Sequence, residues 1–133
     1  MRILGIDPGY AIVGFGVADY SGMNFAPVEY GAILTEAHTD FSQRLKCIAD
    51  DMDYILEKFE PDCLSIEKLF FTNNQKTAID VAQARGVIVL SAVRHGISIY
   101  EYTPLGRRVC TGRSCKDTGS RTGRYFKGDC TNL

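Results

Sequence analysis

Two acidic residues each follow a short aliphatic run in this sequence. Asp7 comes after Arg2-Ile3-Leu4-Gly5-Ile6 and opens the turn Asp7-Pro8-Gly9, and Glu67 ends Cys63-Leu64-Ser65-Ile66-Glu67. If these runs are neighbouring strands, the two carboxylates meet at one sheet edge and repel each other unless a cation bridges them. Carboxylate oxygens suit Mg²⁺, which keeps waters and substrate phosphates among its ligands. The pair therefore predicts a Mg²⁺ site for phosphodiester cleavage, a reaction served by two ions about 4 Å apart.

Both residues also have an ordinary structural explanation. Asp7 can cap the backbone of its own turn, because Asp-x-Gly turns commonly use the side chain in this way. Glu67 can be a solvated residue at the end of a strand. The sequence by itself leaves these alternatives open.

The polar segment after Glu67 and the helix that follows it carry candidate contacts to nucleic acid. Phe70 and Phe71 lie next to Thr72-Asn73-Asn74 and could stack on bases, which is worth ~1–3 kcal/mol per base, or could cover the core. Arg85 and Lys76 could contact phosphates. For Lys76 a solvated helix face is the alternative.

Hydrophobic periodicity predicts the elements that must position these residues. Alternation predicts three strands joined by short turns, and apolar residues at steps of three and four from Phe41 to Phe59 predict an amphipathic helix. The predicted order is strands at 2–6, 12–18 and 23–35, a helix at 41–59, a strand at 63–67, a helix at 75–95 and a strand at 97–102. This order is typical of an α/β fold in which helices cover a mixed five-stranded sheet, three strands antiparallel and the later ones parallel.

The two predicted helices differ in their faces. Val87-Ile88-Val89-Leu90 makes the second helix apolar around most of its circumference, so one side should pack on the sheet and another suggests a partner subunit. In the first helix, Asp50, Asp51 and Asp53 lie on the polar side, where we expect them to face solvent.

Composition limits the class of protein. The 133 residues are 45% hydrophobic and 23% charged, which is typical of one soluble globular domain. No apolar run approaches the ~18 residues of a membrane span, and Asp7 interrupts the stretch where a signal peptide would be apolar. We therefore expect a cytoplasmic protein without a membrane partner. Five cysteines without a C-x-x-C pair, and only two histidines, argue against a zinc site.

Charge and composition change after Leu105. Residues 1–105 carry 8 Lys/Arg against 14 Asp/Glu, whereas residues 106–133 carry 7 against 2. The second segment is rich in Gly and Arg and has no sustained periodicity, which predicts a basic, disordered tail. The predicted domains are therefore a nuclease domain at 1–105 and an aberrant tail at 106–133.

The motifs together resemble RuvC-type Holliday junction resolvases over residues 1–105. The matching stretches are Arg2-Ile3-Leu4-Gly5-Ile6-Asp7-Pro8-Gly9, Glu29-Tyr30-Gly31, Ser65-Ile66-Glu67, Leu69-Phe70-Phe71, Gln83-Ala84-Arg85-Gly86 and Tyr100-Glu101-Tyr102-Thr103-Pro104. The resemblance implies a ribonuclease-H-like fold and a homodimer that nicks two strands of a four-way DNA junction. It also implies two Mg²⁺ ions per site, and a branch-migration motor complex as partner.

The resemblance also implies roles for individual residues. Asp7 and Glu67 match the first two catalytic, metal-binding carboxylates, and Phe70 matches the aromatic that engages bases near the junction. The second helix matches the helix through which the family dimerises. A sugar or acetate kinase of related fold could also use an Asp-x-Gly turn, but Phe70-Phe71 and Gln83-Ala84-Arg85-Gly86 have no place in one.

Residues 106–133 depart from the family. The family continues with a last helix whose aspartates complete the metal site, and neither Asp117 nor Asp129 lies in a helical pattern that matches it. The third carboxylate is therefore predicted to be absent, and junction cleavage to be impaired. A catalytically silent junction-binding dimer and a nonfunctional fragment are the alternatives to an active enzyme.

Abrupt loss of periodicity at one position is what a shift of reading frame produces. Synonymous codons can be chosen for Thr111–Asn132 that encode an amphipathic helix in a neighbouring frame. We therefore expect that sequencing the gene across codons 104–108 will show a family-like continuation in another frame. An intact, longer frame without such a continuation nearby would contradict the hypothesis of a frameshifted or truncated resolvase.

Overall fold

Six strands and two helices make up the part of the chain that the computed structural model describes, residues 1–69, 75–103 and 124–127. For residues 75, 76 and 124–127 it describes the backbone alone. In chain order the elements are β1 (Arg2–Asp7), β2 (Ile12–Ser21), β3 (Asn24–Leu34), α1 (Phe41–Phe59), β4 (Cys63–Glu67), α2 (Gln75–Arg94), β5 (Ser98–Tyr102) and β6 (Arg124–Lys127). Through β5, the types and order of the elements agree with the hydrophobic pattern.

The strands form one mixed sheet in the order β5-β4-β1-β2-β3-β6. The first three strands pair antiparallel, β4 pairs parallel with β1, and β5 pairs parallel with β4. The predicted α/β sheet of three antiparallel and then parallel strands is confirmed. Both helices connect parallel strands in the same direction along the sheet, so right-handed crossovers place them on the same face.

A sixth strand adds to the predicted five. β6 pairs parallel with β3, with Gly31 opposite Arg124 and Leu34 opposite Lys127. We predicted no ordered element in residues 106–133. The four residues of β6 differ from that prediction. The outer edge of β3 would otherwise expose unpaired backbone groups, which is where an added strand can bind. The rest of the tail lies outside the described residues.

The sheet has two unlike faces because side chains alternate along each strand. One face, the helix face, packs against α1 and α2. Its buried residues include Leu4, Ile6, Val13, Phe15, Val17, Ile33, Leu64 and Ile66 from the sheet, with Ile48, Met52 and Ile55 of α1 and Ala84, Ile88 and Ala92 of α2. Burying one such Leu or Ile side chain stabilises the fold by roughly 1.5–3 kcal/mol. Residues on the opposite face, which we call the open face, include Gly5, Asp7, Gly14, Gly16, Ser65 and Glu67.

Both helices end in left-handed backbone. α1 ends at Glu60, which has φ 45° and whose N–H donates to the Leu56 carbonyl at 2.9 Å, directly before Pro61. α2 ends at Gly96, where φ is 70° and the N–H donates to the Val93 carbonyl at 3.0 Å. Glycine adopts this conformation without a steric penalty. Neither helix of the described ranges combines the length and apolar character needed to cross a membrane.

The aspartates of α1 are not all solvated as expected. Asp50 is exposed and pairs with Lys46 at 2.7 Å, and Asp53 lies 3.1 Å from His95 at the end of α2. For Asp51 the expectation is wrong, since its Oδ2 is buried and has no hydrogen-bond partner among the described residues. Burial, and secondarily the charge of Asp50, raises the pKa of the Asp51 carboxyl. The spacing of polar residues along α1 does not reveal the burial of Asp51, because that burial results from α2 packing beside α1.

The turn after β1 has no space for a side chain at Gly9. A Cβ there would lie 2.2 Å from the Ile12 carbonyl oxygen and 3.3 Å from its carbon. Because these are backbone atoms, the turn itself must shift, and we expect Gly9→Ala to destabilise the fold by about 1–3 kcal/mol in urea unfolding. Gly16→Ala is the matched control, since nothing lies within 4 Å of its added Cβ. Equal unfolding free energies for the two variants would contradict the prediction.

Candidate active site

Asp7 and Glu67 end neighbouring parallel strands. Ile6 of β1 pairs with Ile66 of β4, and each acidic residue is the next one along its strand. Neighbouring strands lie about 4.8 Å apart. Since Ile6 and Ile66 are both buried on the helix face, the alternation of side chains puts Asp7 and Glu67 together on the open face. Asp7 is exposed and Glu67 half-buried.

The two acidic residues are the middle of a row that crosses four strands. Gly14 of β2 pairs with Asp7 on one side, and Tyr102 of β5 pairs with Glu67 on the other. A shallow depression of about 360 Å³ lies here, lined by Gly5, Ile6, Asp7, Gly14, Phe15, Gly16, Gly31 and Tyr102. The row therefore sits at one end of an open concave surface.

Three glycines leave part of this surface without side chains. A Cβ on Gly14 would lie 3.5 Å from the Asp7 Cβ, and one on Gly16 would meet nothing within 4 Å. Gly5 of β1 pairs with Gly16 in the sheet. Without side chains at these three positions, a bulky substrate backbone can approach the sheet beside Asp7.

The loop after Asp7 is tied to two other elements. The Thr35 hydroxyl donates to the Tyr10 carbonyl at 2.7 Å, and Arg44 Nε donates to the Thr35 oxygen at 2.8 Å. The Arg44 guanidinium also lies 4.8 Å from the centroid of the Tyr10 ring, a cation–π distance. These contacts join the loop to the end of β3 and the first turn of α1, which restrains the backbone beside Asp7.

Charged residues surround the end of β4 on the opposite side of the sheet. Arg85 Nε of α2 donates to the Glu67 carbonyl at 3.3 Å, and the same guanidinium forms an ion pair with Glu101 of β5. Lys68 Nζ lies 3.6 Å from the second Glu101 oxygen. The hydrogen bond from Arg85 lowers the pKa of the Glu101 carboxyl, and the charges of Arg85 and Lys68 act in the same direction.

The row offers two carboxylates as donors for the predicted metal. Two carboxylates on adjacent strands fit Mg²⁺, which is commonly held by one or two protein carboxylates with waters and substrate phosphates completing its shell. Within residues 1–69, 75–103 and 124–127, no three His, Cys, Asp or Glu side chains are grouped to hold a metal. The described residues therefore supply two carboxylates at this row and no complete metal-binding group.

Comparison with known proteins identifies the family. The sequence model of crossover junction endodeoxyribonuclease RuvC matches residues 3–117. The chain belongs to the RuvC family. Crossover junction endodeoxyribonuclease RuvC of Brevibacillus brevis is 56% identical over 105 residues, and that of Ruminiclostridium cellulolyticum is 50% identical over 105 residues. Each match covers 79% of this chain and 63% of the relative.

The structural comparison agrees. RuvC of Thermus thermophilus, solved in complex with a Holliday junction substrate, superposes with a TM-score of 0.75 at 25% identity. The match covers 79% of this chain and 67% of that one. The predicted ribonuclease-H-like fold is thereby confirmed. The chain spans less than two thirds of the length of the two RuvC relatives named above, and the match to the family model continues past Leu105 to residue 117.

The structure describes only some of the other residues predicted for the site. Phe70 and Phe71 lie outside the described residues, and of Lys76 only the backbone position in the first turn of α2 is described. Asp117 and Asp129, to which no site role was assigned, also lie outside the described residues. Arg85 is described, and its contacts are Glu67 and Glu101 within the RuvC fold. Its predicted contact with DNA stays a prediction.

Sequence reasoning did not single out Tyr102 or Glu101 as site residues. Tyr102 lines the depression beside Asp7, and Glu101 pairs with Arg85. A signal for them was present in the sequence. Glu101 and Tyr102 are the last two residues of the fifth predicted strand, just as Asp7 and Glu67 lie at the ends of the first and fourth. Using that signal requires the order of strands in the sheet, which periodicity does not provide.

Proposed function

We propose that this chain carries a Mg²⁺-dependent endonuclease site for four-way junction DNA. The observation that carries the proposal is the placement of Asp7 and Glu67 at adjacent strand ends on the same open face. Membership of the RuvC family, and the junction complex of the Thermus thermophilus relative, support the choice of substrate. The predicted cytoplasmic location is part of this proposal.

Asp7 and Glu67 act in this proposal as metal ligands. The chemistry that Mg²⁺ supplies when bound, with two ions in a complete site, is activation of water for in-line attack on the phosphate and stabilisation of the leaving oxygen. In this role the two carboxylates would hold the ion and would not act as proton carriers. The glycine surface beside them admits the scissile strand.

DNA contacts are assigned to residues around this surface. Phe70 and Phe71, which follow Glu67 closely in sequence, are proposed to stack on bases near the scissile phosphate. Lys76, at the start of α2, is proposed as a phosphate contact. Arg85 was predicted as another, but its guanidinium already binds the Glu67 carbonyl and Glu101.

A third carboxylate is the part of the site that the described residues do not supply. Two-ion binding in this chain is therefore proposed to be weak, and cleavage slow. A catalytically silent junction-binding protein is the second candidate function, favoured by the same observation. The basic tail would then supply phosphate attraction, which is steeply salt-dependent.

A homodimer is proposed through α2. Its exposed positions include Ile79, Gln83, Gly86, Leu90 and Val93, which recur at steps of four and three and so form one stripe. Ile79 is 58% exposed, Leu90 56% and Val93 59%, on a helix whose opposite side is packed in the core. Two copies of this stripe would cover each other and bring two sites onto one junction. The branch-migration motor complex remains a proposed partner by family resemblance.

The nuclease proposal is tested with a synthetic four-way junction. We expect the full chain to nick it in Mg²⁺ at least ~100-fold more slowly than a full-length relative, because the described residues supply no third carboxylate and a bound metal contributes several kcal/mol of transition-state stabilisation. Asp7→Asn should abolish the remaining nicking and leave metal-free junction binding unchanged. Nicking as fast as a full-length relative would contradict the proposed impairment, and nicking retained in Asp7→Asn would contradict the assigned site.

The dimer proposal is tested with a charge in the stripe. Leu90→Glu should shift the chain from dimer to monomer in analytical ultracentrifugation, since a carboxylate buried between two apolar stripes is left without a partner. Met23→Glu is the matched control, because Met23 is 94% exposed at the turn between β2 and β3. Equal sedimentation of the two variants would contradict an interface at α2.

A further inference from the structure

Arg85 connects three elements at the point where β4 ends. From α2 it reaches the carbonyl of Glu67, at the end of β4, and the side chain of Glu101, on β5. Its side chain is only 19% exposed. It therefore lies under the sheet edge, on the helix face, directly behind the carboxylate row.

The end of β4 has few other restraints in the described structure. Ile66 is the last β4 residue paired with β1, while Glu67 pairs with Tyr102 of β5. One further backbone bond, from the Lys68 N–H to the Tyr102 carbonyl at 2.8 Å, holds the chain after it. Strand ends open more readily than strand centres. The hydrogen bond that Arg85 donates to the Glu67 carbonyl therefore restrains a peptide that is otherwise held mainly by its pairing with β5.

We propose that Arg85 is a positioning residue that holds the last peptide of β4, and through it directs the Glu67 carboxylate towards Asp7 on the open face. The inference rests on the proposed function, because it assigns Arg85 to the metal site formed by those two carboxylates. It replaces the expectation that Arg85 binds a DNA phosphate.

Geometry and charge both support this assignment. With the Glu67 carbonyl held on the helix-face side of the strand end, the Cα–Cβ bond keeps its direction to the opposite face. Glu101 in turn orients the guanidinium, and Lys68 lies 3.6 Å from the other Glu101 oxygen. Charge-assisted hydrogen bonds of this kind are shorter and stronger than neutral ones. Moving Arg85 to a phosphate would break two of its contacts and leave the exposed Glu101 with Lys68 as its remaining charge partner among the described residues.

The experiment measures Mn²⁺ binding to the full chain by electron paramagnetic resonance of the free ion. Mn²⁺ is the probe because it prefers the same oxygen ligands as Mg²⁺. Arg85→Gln is expected to weaken Mn²⁺ binding about tenfold or more, the typical effect of removing a residue that orients a metal ligand. Glu101→Gln should weaken it less, and the double variant should match Arg85→Gln, because both act through one network.

Two controls separate positioning from a loss of charge or of the fold. Arg94→Gln removes the same charge from the exposed end of α2 and should leave Mn²⁺ affinity unchanged. Arg85→Lys keeps the charge but lacks the two nitrogens of the planar guanidinium that donate to the Glu67 carbonyl and to Glu101. It should therefore weaken Mn²⁺ binding as well, and it serves as the test if Arg85→Gln does not fold. Additive losses in the double variant would overturn the network.

A second measurement addresses DNA. Metal-free junction binding is followed against salt concentration, and Arg85→Gln should keep the wild-type slope. A slope reduced by about one would show a phosphate contact and overturn the positioning role.

Asp7→Asn separates failure of this inference from failure of the proposed function. If Asp7→Asn loses Mn²⁺ affinity but Arg85→Gln keeps it, the metal site stands and the positioning role is wrong. If the wild-type chain binds no Mn²⁺, or if Asp7→Asn binds it as the wild type does, the proposed metal site and the positioning role are both wrong.

Discussion

Parallel pairing of β1 with β4 is the constraint on which the site depends. It places two acidic strand ends side by side on one face, where in the absence of a cation their like charges would oppose each other. A slip of one residue in this register would turn one carboxylate to the helix face, among apolar side chains. The buried pairs Leu4–Leu64 and Ile6–Ile66 exclude that slip. The hydrophobic core therefore sets the distance between the two acidic residues.

The same pairing explains why the two sheet faces serve different purposes. Both crossover helices lie on the helix face, where they bury the aliphatic residues of the strands. The open face keeps small residues beside Asp7, so it can admit a bulky partner such as a DNA backbone. Stability and the candidate chemistry thus use alternate residues of the same strands, and β1 carries both in six residues.

The α2 helix links the two functions proposed for the molecule. Its buried side, with Ala84 and Ile88, packs in the core, and its exposed stripe is available to a second copy. Between these faces lies Arg85, in contact with the end of β4. A change in how α2 packs would therefore reach both the dimer surface and Glu67. This arrangement gives a physical route between the proposed dimer surface and the proposed metal site.

Local sequence determined much of this protein. Alternation and the three-four spacing predicted β1 to β5, α1 and α2 in order, because each element must present an apolar side to one core. Asp7 and Glu67 could be named as candidates because each carboxylate follows an aliphatic run, but the sequence left their ordinary structural readings open. Tertiary structure alone decided which strands are neighbours, and hence that Tyr102 joins the row and that Arg85 meets Glu101. It also decided that Asp51 is partly buried and that β6 adds to β3. These contacts join residues that are far apart in the chain. The hydrophobic periodicity of one segment does not show which other segments will lie next to it in the fold.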